Sequence, residues 1–324
     1  MAHEIQLISD GIGLAVIGDP AAVDAFLTSQ NLPSRELDGR QLSRLEGRTS
    51  TKPQATADVA ETSGRWVKLT QVPARVIDRY GLRANGTSEE PTGALAGVMA
   101  QIALKQAMDE INEYLVGTGT QIDDVLRAQP DTAVAGMIRA QGVIEEALTH
   151  RAGAGGIPKA TLSTAQGTSL VIAYTQAYAL RQLRALADTF EDAGTSDDRA
   201  AAAEQAASEA QEWLAVIARS FRLQDSLQVL ELDRVLDAAT DELDDHLEHL
   251  RFARGERLEV LSQAGTRLVE RIDAAIAATR DEDLPDSAPS RTVIESRDLI
   301  VVAVRDFEDG LGIESGRESL DAHR

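Results

Sequence analysis

A mostly α fold is predicted, a long-helix antiparallel, coiled-coil-like bundle with a small N-terminal α+β portion, and three observations point to it. Aromatic residues are only 3% of the 324, and Ala, Leu, Val and Ile carry the apolar mass, a composition suited to helices packed at close range. Apolar residues recur at intervals of three and four across most of residues 92–280, the spacing of one helix face. Clear β-prone runs beside turn residues are confined to the first seventy or so residues. The pattern divides the chain into four parts. Residues 1–81 are a small α+β portion with an internal polar linker, 82–91 a second linker, 92–283 the bundle, and 284–324 a C-terminal tail packing on the body.

In the first part, EIQLIS and LAVIG are short β-prone runs joined by Asp10-Gly11-Ile12-Gly13, a hairpin signal. Asp19-Pro20 supplies an N-cap and a first-turn proline for AAVDAFLTSQ, with Val23, Phe26 and Leu27 on one face. Residues 38–63 are polar and read as a loop. A strand from Arg65 to Leu69 and a short helix ending at Gly81 follow.

In the bundle, helical spacing runs through Leu104, Met108, Ile111 and Leu115, then through Leu162, Leu170, Ala173, Ala177, Leu180, Leu183 and Phe190. It returns in Trp213, Val216, Ile217, Leu223, Leu227 and Leu230, and again from Leu243 to Ile276. Breaks are expected at Gly117-Thr118-Gly119, Gln129-Pro130-Asp131, Arg151–Pro158 and Gly194–Asp198. Several helices have room for thirty residues, against about 11–12 in an average globular helix. The apolar run Leu299–Val304 reads as strand or helix; flanks without turn residues favour helix.

The charge balance removes some function classes. A formal net charge of −21 repels phosphate backbones and anionic headgroups, which argues against a nucleic-acid partner. With no cysteine, disulfides, thiol catalysis and thiolate metal sites are absent. MAHEIQLISDG has neither the basic start nor the long apolar core of a signal peptide. A cytoplasmic location is the expectation.

Three stretches invite a functional reading. No charge occurs between Pro91 and Leu104, and as helix this spans about 21 Å against a hydrocarbon core of about 30 Å. The segment is read first as a buried helix, with Gly93 and Gly97 allowing close approach beside Val98, Met99 and Ile102. The alternative is a segment that enters lipid. In DELDDHLEHLR, His246 and His249 are three apart amid acidic residues; two imidazoles one turn apart can share a divalent metal if a carboxylate completes the set. A solvated acidic face is the ordinary reading of the same residues. In DGIGLAVIGD the third glycine of a dinucleotide fingerprint is Val16 and no helix follows directly. No catalytic constellation is discernible, and no cofactor is expected. The polar faces carry mixed charge, as in Arg219, Arg222 and Arg234 against Asp225, Glu231 and Asp233, which suits selective helix pairing.

SGRWVKLT, AGVMAQIALKQAMDEINEYL, IDDVLRAQ, TQAYALRQLRALAD, EWLAVIARSF and LQVLELDRVLDA resemble a family of actinobacterial, mostly helical proteins with no established activity. The resemblance runs from the hairpin to the GIESGRESLDAHR tail. It implies a bacterial cytoplasmic setting and one continuous architecture, and it transfers no catalytic residue. The chain departs from the family at Gly117-Thr118-Gly119 and Pro130, so a kink or helical hairpin is expected there.

The expected function is therefore a non-catalytic interaction or scaffolding protein acting through helix–helix contacts, with a protein partner or a second copy of itself. A membrane-acting bundle similar in outline to α-helical pore-forming proteins, using residues 92–104, is the alternative. A metal-dependent enzyme, which would bring His246 and His249 into play, is third.

Overall fold

The computed structural model describes residues 5–9, 13–39, 41–43, 45, 62–73, 75–77, 94–118, 132–154, 157–238, 243–279 and 288–313. It is mostly helical, with long helices packed on one another and a four-stranded antiparallel sheet near the N-terminus. In chain order the elements are β1 (Gln6–Ser9), β2 (Gly13–Gly18), α1 (Pro20–Gln30), β3 (Arg35–Glu36), β4 (Ser63–Lys68), a 3-10 turn (Leu69–Gln71) where the strand was expected to reach Leu69, α2 (Ala94–Gly117), α3 (Thr132–Ala154), α4 (Lys159–Gln166), α5 (Ser169–Glu191), α6 (Ser196–Ala238), α7 (Leu243–Thr279) and α8 (Ala288–Leu311). Two compact units emerge, one of residues 1–106 and 231–250, the other of 107–230 and 251–324. This division differs from the linear one read from the pattern: the first part of α2 and the residues around the end of α6 and the start of α7 group with the sheet.

In the first unit the strands lie in the order β1-β2-β4-β3. β2 is paired on both sides, Leu7 opposite Val16 and Val16 opposite Arg65. Its residues are buried on both faces, which is why GLAVIG reads as a continuous apolar run rather than an alternating one. Leu14, Val16 and Val67 share one core with Val23, Phe26 and Leu27 of α1. That helix starts as expected: Ala21 and Ala22 amides donate to Asp19 Oδ1 at 3.0 and 3.2 Å, and Pro20 occupies the first turn. It ends at Asn31, whose φ of 54° is the left-handed conformation of a C-cap. Gly13 has a role beyond the turn, because a Cβ there would fall 1.9 Å from Trp66 Cζ2. Only glycine lets the indole lie over this strand.

Residues 38–63, expected as a loop, contain helical residues at 39, 41–43 and 45. The cause is a reciprocal cap. The Gln41 amide donates to Asp38 Oδ1 at 2.8 Å and the Asp38 amide donates to Gln41 Oε1 at 3.2 Å, the geometry of a capping box. Leu45 is then fully buried, and Lys105 Nζ of α2 donates to Asp38 Oδ2 at 3.0 Å.

In the second unit α6 is the central helix. Trp213 to Ala218 are all buried, the signature of a helix surrounded on every side. Its core includes Ile111 and Tyr114 of α2, Met137 and Ile144 of α3, Phe190 of α5, Leu268 and Ile272 of α7, and Val304 and Phe307 of α8. Two aromatic pairs pack edge to face, Tyr178 with Trp213 at 5.7 Å and Tyr114 with Phe307 at 6.3 Å. The tail run Leu299–Val304 is helical, within α8. A break at Gly167-Thr168, not expected, separates α4 from α5.

One expectation about packing is overturned. Ile172, Thr175, Ala179, Leu183, Leu186, Ala187 and Phe190 form the buried face of α5. Leu170, Ala173 and Ala177 turn away from it, Leu170 being 77% exposed, while Leu180 packs half-buried against the core. Both stripes satisfy helical spacing. The Thr175 hydroxyl, which donates to the Ala133 carbonyl of α3 at 2.9 Å, marks which one faces in.

Candidate helix-docking groove

The expected site residues are scattered. Val98, Met99 and Ile102 are core residues of α2 in the first unit. Gly97 is where the helix meets its neighbours most closely, since a Cβ there would stand 2.7 Å from Leu236 Cδ2 and 3.2 Å from Leu243 Cδ2. Gly93 lies outside the described residues. Gln101, buried on the same helix, donates from Nε2 to Asp233 Oδ1 at 3.2 Å, a polar contact in an otherwise charge-free stretch. No helix among the described residues is long and apolar enough to cross a membrane.

His246 is half-buried and His249 exposed, both near the start of α7. Among the described residues no group of three or more His, Asp or Glu side chains stands close enough to hold a metal ion.

A polar cluster lies between α6 and α7 in the second unit, around Asp225, which the charge pattern placed on a polar helix face and which is buried instead. Asp225 is fully buried, and Arg254 Nε donates to its Oδ2 at 3.1 Å, with Arg257 Nη2 3.9 Å from Oδ1. Both guanidiniums also stand over the Phe221 ring, at 5.2 and 5.6 Å from its centroid. Burial pushes the Asp225 carboxyl up, opposed by the two guanidiniums, and burial pushes Arg257 down. The spacing Phe221–Asp225 on α6 puts the ring and the carboxylate one turn apart on one face. Arg254 and Arg257 repeat that one-turn spacing on α7, so the two helices lock in a single register.

A groove between α5 and α7, also within the second unit, is open to another molecule. Its floor is Leu180, Leu183, Ala187, Ala264 and Leu268, and its volume is about 420 Å³. Small residues at 187 and 264 leave the space between the helices unfilled. Arg184 on α5 and Arg267 and Arg271 on α7 line it as well, with Gln263. Arg271 is clamped to α5: Nη2 donates to Asp188 Oδ1 at 2.7 Å and to Glu191 Oε2 at 2.6 Å. This hydrogen bonding, more than any other cause, holds the Glu191 carboxyl below the usual carboxylate range. Val260, 52% exposed, stands at the groove surface. The sequence signal that could have found it is an apolar stripe, Leu170, Ala173, Ala177 and Leu180, continued by Arg184 rather than by a further aliphatic residue. A charge inside an apolar stripe marks a face that reaches water.

No protein-family profile, curated protein or solved structure matches the chain.

Proposed function

We propose that this chain is a non-catalytic, cytoplasmic interaction or scaffolding protein whose second unit docks a helix of a protein partner. The observation that carries this reading is the groove between α5 and α7, apolar on its floor and open at its surface. A contiguous apolar surface rimmed by polar groups is a common mark of a binding site on a soluble domain. Two long helices with a shallow trough between them suit a third helix, whose ridge fills the trough. The exposed Leu170, Ala173 and Ala177 on the same helix extend the surface available.

Site-specific photo-crosslinking in cells tests it. A benzophenone side chain at Val260 should give a defined protein adduct, and one at the exposed Glu204 of α6 should give none. Absence of any adduct from positions 180, 260 and 263 would sink the reading. An adduct of twice the chain's mass would turn it toward homo-oligomerisation.

A further inference from the structure

The lining of the groove has a charge character opposite to that of the chain. The sequence holds 53 acidic residues against 32 basic ones, yet three arginines and no acidic residue line the groove. Arg271 is neutralised by Asp188 and Glu191. Arg184 and Arg267 have no carboxylate partner among the described residues; the one side-chain contact of Arg267 is Gln263 Oε1 at 3.4 Å. Two exposed guanidiniums thus stand on opposite walls, one on α5 and one on α7, with an aliphatic floor between them.

From this we infer that the occupant is an acidic amphipathic helix, with aliphatic anchors on the face it buries and Asp or Glu on both flanks. The inference rests on the interaction reading above and names its partner class. Guanidinium forks donate paired hydrogen bonds to carboxylates, so each wall would select an acidic flank. A basic helix would set like charges against Arg184 and Arg267, a juxtaposition that rejects wrong partners. A nucleic acid fits less well, because an aliphatic floor offers a phosphate nothing. The lining on α7 runs from Val260 to Arg271, about 16 Å of helix. That length matches about three turns of the occupant, with anchors at i, i+3 or i+4, and i+7.

The test is selection from a displayed library of helical peptides, panned on the full chain. Aliphatic residues are fixed at the anchor positions, and the flanks are randomised among Asp, Glu, Lys, Arg, Gln and Ser. Selected flanks should be Asp and Glu. In fluorescence anisotropy, such peptides should lose at least ten-fold in affinity against the Arg184→Glu, Arg267→Glu double variant, and lysine-flanked versions should gain. Both positions are exposed, so circular dichroism should find the variant folded; Arg184→Gln, Arg267→Gln gives an intermediate loss. Acidic peptides whose affinity survives the charge reversal would overturn the inference. So would selected peptides with neutral or basic flanks; if their binding is lost in Leu180→Asp, the groove still docks helices and only the charge assignment falls. If nothing is enriched over panning on the groove-filling Ala264→Trp variant, the docking reading falls too. A parent chain that sediments as a dimer, dissociated by the charge reversal, would make the occupant a second copy and overturn the partner named here.

Discussion

Residues 97–104 of α2 and residues 170–180 of α5 look alike in the sequence, each Ala-rich with aliphatic residues at helical spacing, and they end in opposite environments. On α2, Val98 and Met99 are fully buried, and Gly97 lets Leu236 and Leu243 close onto the helix. On α5, Leu170 is 77% exposed and Leu180 lies on the floor of an open groove. The difference is in what accompanies the apolar residues. No charge interrupts 91–104, so every face of that helix turn can be covered. Helix α5 carries two apolar stripes, and the core claims the one through Ile172, Ala179, Leu183, Leu186, Ala187 and Phe190. Apolar spacing identifies a helix; it does not say how many of its faces are covered.

The comparison is broken most sharply by charge. Val98→Asp should cost about 4 kcal/mol or more, because a carboxylate would be buried without a partner. Leu170→Asp should change stability by no more than about 0.5 kcal/mol. Urea denaturation of both variants decides, and equal losses would mean the α5 stripe is covered after all. Asp225→Ala should cost about 3 kcal/mol by leaving Arg254 and Arg257 facing each other in a mostly buried setting, somewhat less if the guanidiniums swing outward. Replacing all three residues with aliphatic ones should restore most of that loss, which the same denaturation series would read.

Smaller effects sharpen the same contrast. Gly97→Val should cost about 1–3 kcal/mol by overpacking against Leu236. Gly142→Ala on α3, where a Cβ would meet nothing within 4 Å, should instead add about 0.5–1 kcal/mol. Thermal melts of the two variants should therefore move in opposite directions. The smallest effect concerns the clamp beside the groove. Arg271 lowers the Glu191 carboxyl, so its contribution is present above the ordinary carboxylate range and is lost as pH falls through the folded-state value. The Tm difference between the parent and Arg271→Gln should be seen at neutral pH and shrink on acidification below about 4. A difference that stays constant would show the pair is not coupled to folding.

Much of the helical layout was legible. Helices end at Gly117, Ala154 and Glu191 and begin at Lys159 and Ser196, close to the expected breaks, because glycine, proline and short polar runs act locally; the break expected at 129–131 lies outside the described residues. The Asp19-Pro20 start of α1 was legible for the same reason. The capping box at Asp38 and Gln41 was equally local but sits in a polar stretch whose composition suggests loop, and so it was passed over. The groove was the hardest to see. Its residues come from α5 and α7, some eighty positions apart, and nothing in either helix alone indicates that Ala187 and Ala264 leave a space between them.

By itself the sequence determined roughly where most of the helices run, and that residues 97–104 would pack as a helix core. Those outcomes depend on hydrogen bonds, caps and periodicity within a few turns of one chain segment. Tertiary structure decided which stripe of α5 faces the core, that Asp225 would be met by Arg254 and Arg257, and that Arg184 and Arg267 would flank an apolar floor. Each of these depends on side chains far apart in sequence meeting in space, and a 3.6-residue period is equally satisfied by either face of a helix.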